Sequence, residues 1–281
     1  MPELPEVETV ARDLHAALCG WQVVGVDIRQ PAVIAEPEPG AFAARLVGQS
    51  VLAVRRRAKY IVVDLAGGDH LVVHLRMTGR LVLADAEAAP LKHTHVVIRL
   101  RNQAGEERAL HFHDTRRFGR LWLLDAAGLA SLFASLGPEP LGYDFSRQTL
   151  ASLLGGRSTR LKPLLLDQNR LAGLGNIYVD EALFHAGLHP TRQAESLSPI
   201  EVDRLYEAIR HVLGQAVEHR GTSLSDAEYR DAQGNKGGHQ DHVAVFRQQG
   251  RPCPRCGAVI LRTRLAGRGT HFCPQCQPAP G

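Results

Sequence analysis

The 281-residue sequence contains no uninterrupted apolar stretch approaching the ~18–20 residues that cross a bilayer as a helix, which excludes a helical membrane span. It also lacks a basic segment followed by an apolar run at its start. The opening residues are acidic and proline-rich, so no secretory leader is expected and the cytoplasm is the expected compartment. Charge of one sign is scarcely in excess: 33 Lys and Arg face 29 Asp and Glu, for a net +4, and so small a surplus identifies no partner. Cysteine is sparse, five in all, and a disulfide framework is not expected in a cytosolic protein. The remainder, 44% apolar and 22% charged, is ordinary for a globular chain long enough to hold two domains with separate cores.

Distribution says more than totals. Between Asp241 and Gly281 one acid stands against six arginines, Arg247, Arg251, Arg255, Arg262, Arg264 and Arg268. Two further basic runs are Arg55-Arg56-Arg57-Ala58-Lys59 and Arg116-Arg117 with Arg120. Each alone describes a solvated face; three together favour a polyanionic partner such as nucleic acid. Four of the five cysteines form two hooks, Cys253-Pro254-Arg255-Cys256 and Cys273-Pro274-Gln275-Cys276, with sixteen residues between them. That spacing places four thiolates around one zinc ion, and a site closed by four sulfurs leaves no position for chemistry, so the zinc is structural. Residues 258–265 read as a strand and 267–270 as a turn, giving a small β-hairpin with Arg268 at its tip. The fifth cysteine, Cys19, is expected in the core of the first helix.

At the other end, Met1 precedes Pro2 and Glu3. Removal of Met1, expected because proline is small, leaves Pro2 as a secondary amine. An α-amino group has a pKa of ~7.7–8.0 and is partly unprotonated at neutral pH. Such an amine can attack a sugar C1′ and form an iminium. From the segment alone, Pro2 and Pro5 could equally do no more than stiffen a terminus.

Along the chain, Pro5 suits a first helical turn, and Val7, Val10, Leu14 and Leu18 fall on one face up to Gly20. Residues 60–65, 70–75, 81–84, 95–100, 110–113 and 120–124 read as short strands without intervening helices, which predicts an antiparallel sandwich. The segment 136–142, with two prolines and two glycines, is the expected hinge. Beyond it the period is helical. Residues 167–178 read as helix, glycine turn and a second helix capped by Asn176, a turn whose N–H groups suit an anion. Ser198-Pro199-Ile200-Glu201 opens a long helix with a capping box. Residues 221–250 are polar and glycine-bearing, as in a mobile loop.

The N-terminal Pro2-Glu3-Leu4-Pro5-Glu6-Val7-Glu8-Thr9 occurs together with Arg56-Arg57-Ala58-Lys59-Tyr60, the His74 to Met77 segment, Lys92-His93-Thr94-His95 and Arg116-Arg117-Phe118-Gly119. With them stand Leu136-Gly137-Pro138-Glu139-Pro140-Leu141, Gly175-Asn176-Ile177-Tyr178 and both cysteine hooks. In this combination the chain closely resembles, end to end, the formamidopyrimidine/endonuclease VIII family of bacterial DNA glycosylases, and its opening octet resembles the oxidised-purine branch.

The resemblance implies an α+β protein of two domains: an N-terminal antiparallel β-sandwich with a flanking helix (1–134), a hinge (135–142), and a helical DNA-binding part with a helix-two-turns-helix and a lesion loop (143–250). A zinc hairpin completes it (251–281). It implies a monomer acting on double-stranded DNA that contains an oxidised base. Pro2 would displace the base and form the iminium, Glu3 would exchange protons with the sugar ring oxygen, and Lys59 would assist base loss and elimination. Strand cleavage by β- and δ-elimination would follow, with Arg268 a proton donor. His74, His93, Arg116, Arg157, Lys162, Asn176 and Arg268 would contact DNA; Met77, Arg116 and Phe118 would form a wedge filling the gap left by a flipped base. Several positions depart from the family pattern. Arg76 stands where glycine is common, Thr115 replaces a proline, Arg157 replaces a lysine, and Phe246-Arg247-Gln248 replaces a Tyr-Gly-Arg. Two other readings are the same machinery acting on oxidised pyrimidines and a non-catalytic zinc-finger DNA-binding protein.

Overall fold

The computed structural model describes residues 2–156, 158–224 and 229–280. Met1, Arg157 among the expected DNA contacts, and 225–228 of the expected loop lie outside the described residues. The chain divides into two compact units, one reaching from the N-terminus to Ala134 and including His219–Gln240, the other comprising Ser135–Glu218 and the segment from Asp241 onward.

The first unit begins with α1 (Leu4–Leu18), whose Val7, Val10, Ala11, Leu14 and Leu18 are buried at helical spacing. Strands β1 (Gln22–Ile28) and β2 (Ile34–Glu36) follow, then α2 (Pro39–Leu46). The sequence pattern hides α2, because a helix of eight residues opening on Pro39-Gly40 reads as a turn. Glu38 caps it by accepting from the backbone N–H of Gly40 and Ala41, and Phe42 and Leu46 bury its inner face. Seven strands complete the sandwich: β3 (Val51–Arg57), β4 (Tyr60–Leu65), β5 (His70–His74), β6 (Gly79–Asp85), β7 (Thr94–Arg101), β8 (Glu107–Asp114) and β9 (Arg120–Leu124). They form a four-stranded sheet in the order β1-β7-β8-β6 and a five-stranded sheet in the order β2-β9-β5-β4-β3. The expected antiparallel pairing holds except for β2, which runs parallel to β9.

Alternation along the strands sends Val54, Ile61, Val63, Leu71, Val73, Leu81, Ile98, Leu110 and Phe112 into one core with α1, as a two-sheet packing requires. The opposite face of the five-stranded sheet carries Val62, Val72 and Leu124, covered by Leu129 of α3 (Ala126–Phe133). Cys19 is a correction: it is exposed just beyond α1, with its Sγ 3.4 Å from His15 Nδ1.

The second unit contains α4 (Arg147–Leu154), α5 (Leu161–Leu166), α6 (Asn176–Ala186) and α7 (Pro199–Glu218), then the hairpin β10 (Leu261–Leu265) and β11 (Arg268–Phe272). α6 is the central element, buried at Ile177, Tyr178, Val179, Ala182, Leu183 and Phe184. It closes on Gly187 at φ +69°, the left-handed cap that glycine accepts without strain. The Ser198 box forms as the sequence indicates: Ser198 N–H donates to Glu201 Oε2 at 2.8 Å. The expected hinge segment is firmly attached in this unit. Gly137 N–H donates to Gln168 O, Ala172 N–H donates to Pro138 O, and a Cβ on Gly137 would lie 2.4 Å from Arg170 O. Its glycine therefore serves close backbone approach.

The helical part does not run continuously to residue 250, because His219–Gln240 packs with the sandwich. Tyr229 and Ala232 enter that core, and Leu83 N–H on the edge of β6 donates to Ala232 O. Polarity suggests a loop here, and the sparse apolar residues are what attach it. Nor is the cysteine hairpin a separate body, since Cys253, Ile260 and Cys273 share a cluster with Phe184 and Val245.

Candidate active site and nucleic-acid interface

Pro2 and Glu3 lie buried immediately before α1. Glu3 is the N-cap of that helix and takes part in a reciprocal box. Its carboxylate accepts from the backbone of Glu6, while its own N–H donates to Glu6 Oε2 at 2.7 Å. The positive end of the helix dipole favours a carboxylate at this position. The other oxygen of Glu6 accepts Thr222 N–H at 2.7 Å, and a Cβ on neighbouring Gly221 would lie 2.9 Å from Glu6 Cγ. Glu6 thus fixes the backbone of Glu3 and anchors the 221–224 segment. It was not among the sequence candidates, although two glutamates three residues apart at a helix start are a readable box.

Lys59 sits in the two-residue turn between β3 and β4, not on a strand, and is only 6% exposed. Ala58 beside it takes φ +52°. The turn is tied back to α1, because Arg56 donates to Ala58 O at 3.1 Å and pairs through Nε with Glu8 Oε2 at 2.7 Å. Burial opposes it, but Arg56 and Arg12 hold the Glu8 carboxyl below its ordinary pKa. Arg55 is likewise engaged, in a two-pronged pair with Asp64. At least these two arginines of the basic run therefore serve internal architecture, a role that charge counting does not reveal.

His74 ends β5 and is buried. Burial, reinforced by the charges of Arg76 and Lys59, pushes its pKa down to about 3. Its Nδ1 accepts the backbone N–H of Arg76 at 3.0 Å. This is a neutral ring ordering the next turn, so the expected contact of His74 with DNA carries no cationic charge. Of the other candidates on this unit, Arg116 and Phe118 are exposed and Met77 and His93 are half-buried. Phe118 is 48% exposed, too open for a core residue, and the Arg116 guanidinium lies 4.7 Å from its ring centroid.

Arg76, beside Met77, is exposed and held at φ +54°. A left-handed conformation costs a residue with a Cβ about 1–2 kcal/mol, partly offset by glycine's greater entropy loss on folding. Arg76→Gly is therefore expected to raise unfolding stability by about 0.5–1 kcal/mol. Chemical denaturation checks this; an unchanged or lower midpoint would show that the turn is not strained.

In the second unit, Lys162 is fully buried. Its Nζ donates to Asp180 Oδ1 at 2.6 Å and to Gly269 O at 2.8 Å. It is not positioned to grip a phosphate, which corrects the expectation from sequence. Asn176 is the first residue of α6 and Gly175 its N-cap, so the expected asparagine cap does not form. The Asn176 amide instead donates to Gly269 O at 3.0 Å. Asp180 also accepts from the backbone N–H of His271 and pairs with its ring. Lys162 and Asn176 thus fix the carbonyl of Gly269, next to Arg268, and Asp180 fixes His271 two residues further on. Arg268 is exposed and opens β11 opposite Leu265. The turn itself is Ala266-Gly267, with φ +47° and +76°, the tight geometry that suits hairpin twist.

The four cysteine sulfurs lie within 4.8 Å of one another, with Cys253–Cys276 at 3.9 Å and Cys256–Cys273 at 3.5 Å. A tetrahedron of Zn–S bonds of ~2.3 Å has edges of ~3.8 Å. The spacings fit one structural zinc ion.

Residues 1–121 match the formamidopyrimidine-DNA glycosylase N-terminal domain, 136–228 the H2TH domain of the same enzymes, and 250–279 the zinc finger found in FPG and IleRS. Sandwich, helical unit and four-cysteine hairpin together define a zinc-bearing DNA glycosylase. The formamidopyrimidine-DNA glycosylase of Pelotomaculum thermopropionicum is 46% identical over 279 residues, 99% of each chain. That of Symbiobacterium thermophilum is 49% identical over 100% of this chain and 90% of the relative. The crystal structure of MutM (FPG) from Thermus thermophilus superposes with a TM-score of 0.88 at 43% identity over the whole of both chains. A Lactococcus lactis FPG mutant in complex with Fapy-dG-containing DNA gives 0.91 at 33% identity, over 99% of this chain and 100% of that one. The chain belongs to the formamidopyrimidine-DNA glycosylase family.

Proposed function

We propose that this chain excises oxidised purines, 8-oxoguanine and formamidopyrimidines, from duplex DNA with Pro2 as nucleophile, and then cuts the strand as an AP lyase. The observation that carries the assignment of Pro2 is its placement: the capping box holds Pro2 and Glu3 side by side, buried, at the start of α1. With Met1 removed, the Pro2 nitrogen attacks C1′, the bond from C1′ to the base breaks, and the base departs with its electron pair and a proton. Loss of the proline N–H and protonation of O4′ open the ring to an iminium, and Glu3 exchanges that proton. The iminium acidifies C2′–H. Removal of this proton expels the 3′-phosphate, and a second elimination expels the 5′-phosphate. Lys59 assists the base-loss and elimination steps, and Arg268 supplies a proton in the second.

Met77, Arg116 and Phe118 occupy the space vacated by the flipped nucleotide, and the exposed arginine and aromatic suit that use. His93 and the arginines of the cysteine hairpin contact phosphate. The zinc, closed by four sulfurs, holds the hairpin and takes no part in bond breaking. The protein works as a monomer in the bacterial cytoplasm, and no helix among the described residues is long and apolar enough to cross a membrane.

A panel of duplexes tests the substrate assignment. Cleavage at 8-oxoguanine opposite cytosine, at least tenfold faster than at an oxidised pyrimidine, is the expected result. The reverse order would move the chain to pyrimidine repair, and binding without cleavage of any lesion would make it a DNA-binding protein only.

A further inference from the structure

Asp114 is completely buried at the end of β8 and belongs to none of the groups assigned above. Its Oδ1 accepts the Thr78 hydroxyl at 2.5 Å and the Arg116 backbone N–H at 3.1 Å. Its Oδ2 accepts Gly119 N–H at 2.7 Å. Thr78 follows Met77, while Arg116 and Gly119 enclose Phe118, so one carboxylate joins the two turns that carry the three wedge side chains. Its backbone makes a third connection: Asp114 N–H donates to His93 O at 3.0 Å, and His95 Nε2 lies 2.7 Å from Asp114 O.

Both turns leave little room to settle otherwise. A Cβ on Gly79 would fall 2.3 Å from Leu75 O, and one on Gly119 would fall 2.6 Å from the Phe112 ring. Glycine lets each backbone approach its neighbour, and the carboxylate then sets the register of one turn against the other. Two of the three wedge side chains have no comparable packing of their own, since Arg116 and Phe118 are exposed.

We infer that Asp114 is the positioning residue of the wedge: it locks the Met77 turn to the Arg116–Phe118 turn so that all three side chains enter the duplex as one rigid body. This rests on the wedge assignment made above. Preorganisation matters because unstacking a base costs free energy, which a wedge that must first order itself repays less fully.

Asp114→Asn keeps the shape but removes one acceptor. With its NH2 in place of Oδ2 the Gly119 N–H loses its acceptor. With NH2 in place of Oδ1 the Thr78 hydroxyl can turn to accept, but the Arg116 N–H loses its bond to the side chain. Either orientation therefore releases one backbone N–H of the Arg116–Phe118 turn. The experiment compares excision of 8-oxoguanine from a duplex, which needs the wedge, with cleavage of an abasic site in a single strand, where no stack has to be opened. For Asp114→Asn the ratio of duplex to single-strand rate is expected to fall at least tenfold. In parallel, the fluorescence rise of 2-aminopurine beside an uncleavable abasic analogue, which reports unstacking, is expected to be lost. Thr78→Val removes the hydroxyl that bonds Asp114 Oδ1 and accepts the Arg116 backbone N–H at 3.3 Å, leaving both carboxylate contacts to the Arg116–Phe118 turn. A fall of about threefold in the ratio is expected; it serves as the second variant if Asp114→Asn does not fold. An unchanged ratio overturns the inference, whether both rates drop together, as for a carboxylate that only supports the fold, or neither drops. Wild-type protein in the same assay separates this from failure of the broader reading, because wild type inactive on every lesion duplex would refute the glycosylase assignment itself.

Discussion

Cys273→Ala is expected to reduce bound zinc from one ion per chain to less than about a tenth and to lower lesion cleavage by about a thousandfold or more. Cys273 is fully buried, and its sulfur lies 3.5 Å from that of Cys256. Three remaining thiolates cannot close the tetrahedron, and the metal that replaces a larger core in this hairpin is lost. The hairpin matters because its second strand begins with Arg268, whose neighbour Gly269 is bonded by Lys162 and Asn176. With the hairpin unfolded these donors lose their acceptor, and buried Lys162 keeps only part of its compensation, so the damage extends to α6. Metal analysis and a strand-cleavage assay on the same preparation check the prediction. A zinc-free variant that cleaves at the wild-type rate would show that the hairpin is dispensable.

Glu3→Gln is expected to lower base excision by about a hundred- to ten-thousandfold, the usual effect of removing a general acid–base. Stability should change little. Glutamine retains an oxygen that can accept the Glu6 N–H, and the reciprocal bond from the residue 3 backbone to Glu6 Oε2 needs no side chain at position 3. Formation of the covalent adduct on a preformed abasic aldehyde should survive, because that substrate already offers an open sugar. Parallel rates on 8-oxoguanine and abasic duplexes separate the steps. Equal loss on both would mean that Glu3 supports the nucleophile's position and does not move a proton at the ring oxygen.

What the sequence disclosed was chiefly what periodicity and spacing encode. α1, α7, six of the sandwich strands (β4 to β9) and the two cysteine hooks stand out because each repeats a chemical pattern at a fixed interval, whereas β1 and β3, of seven residues each, do not stand out. The parallel β2 and the short α2 were hidden, as three and eight residues are too few for a period to show. Partnership was least visible. Lys162 reads as a surface cation until Asp180, eighteen residues away, pairs with it in the interior. Arg56 reads as part of a DNA-facing run until Glu8, forty-eight residues away, pairs with it. Asp114 gave no signal at all, since an aspartate between a strand and a turn is unremarkable until its two oxygens are seen to join two separate loops. His74 is a related case, a histidine whose burial beside Arg76 and Lys59 removes the charge a reader of the sequence would give it.

The central claim is that the Pro2 nitrogen is the nucleophile, and borohydride trapping tests it most directly. Protein lacking Met1 is incubated with a duplex carrying 8-oxoguanine opposite cytosine, reduced, digested and sequenced by mass spectrometry. The account predicts a stable adduct on the peptide beginning at Pro2, with none in a preparation that retains Met1, whose Pro2 nitrogen is an amide. An adduct mapping to Lys59 or to any other amine, or an undiminished adduct with Met1 in place, would contradict it.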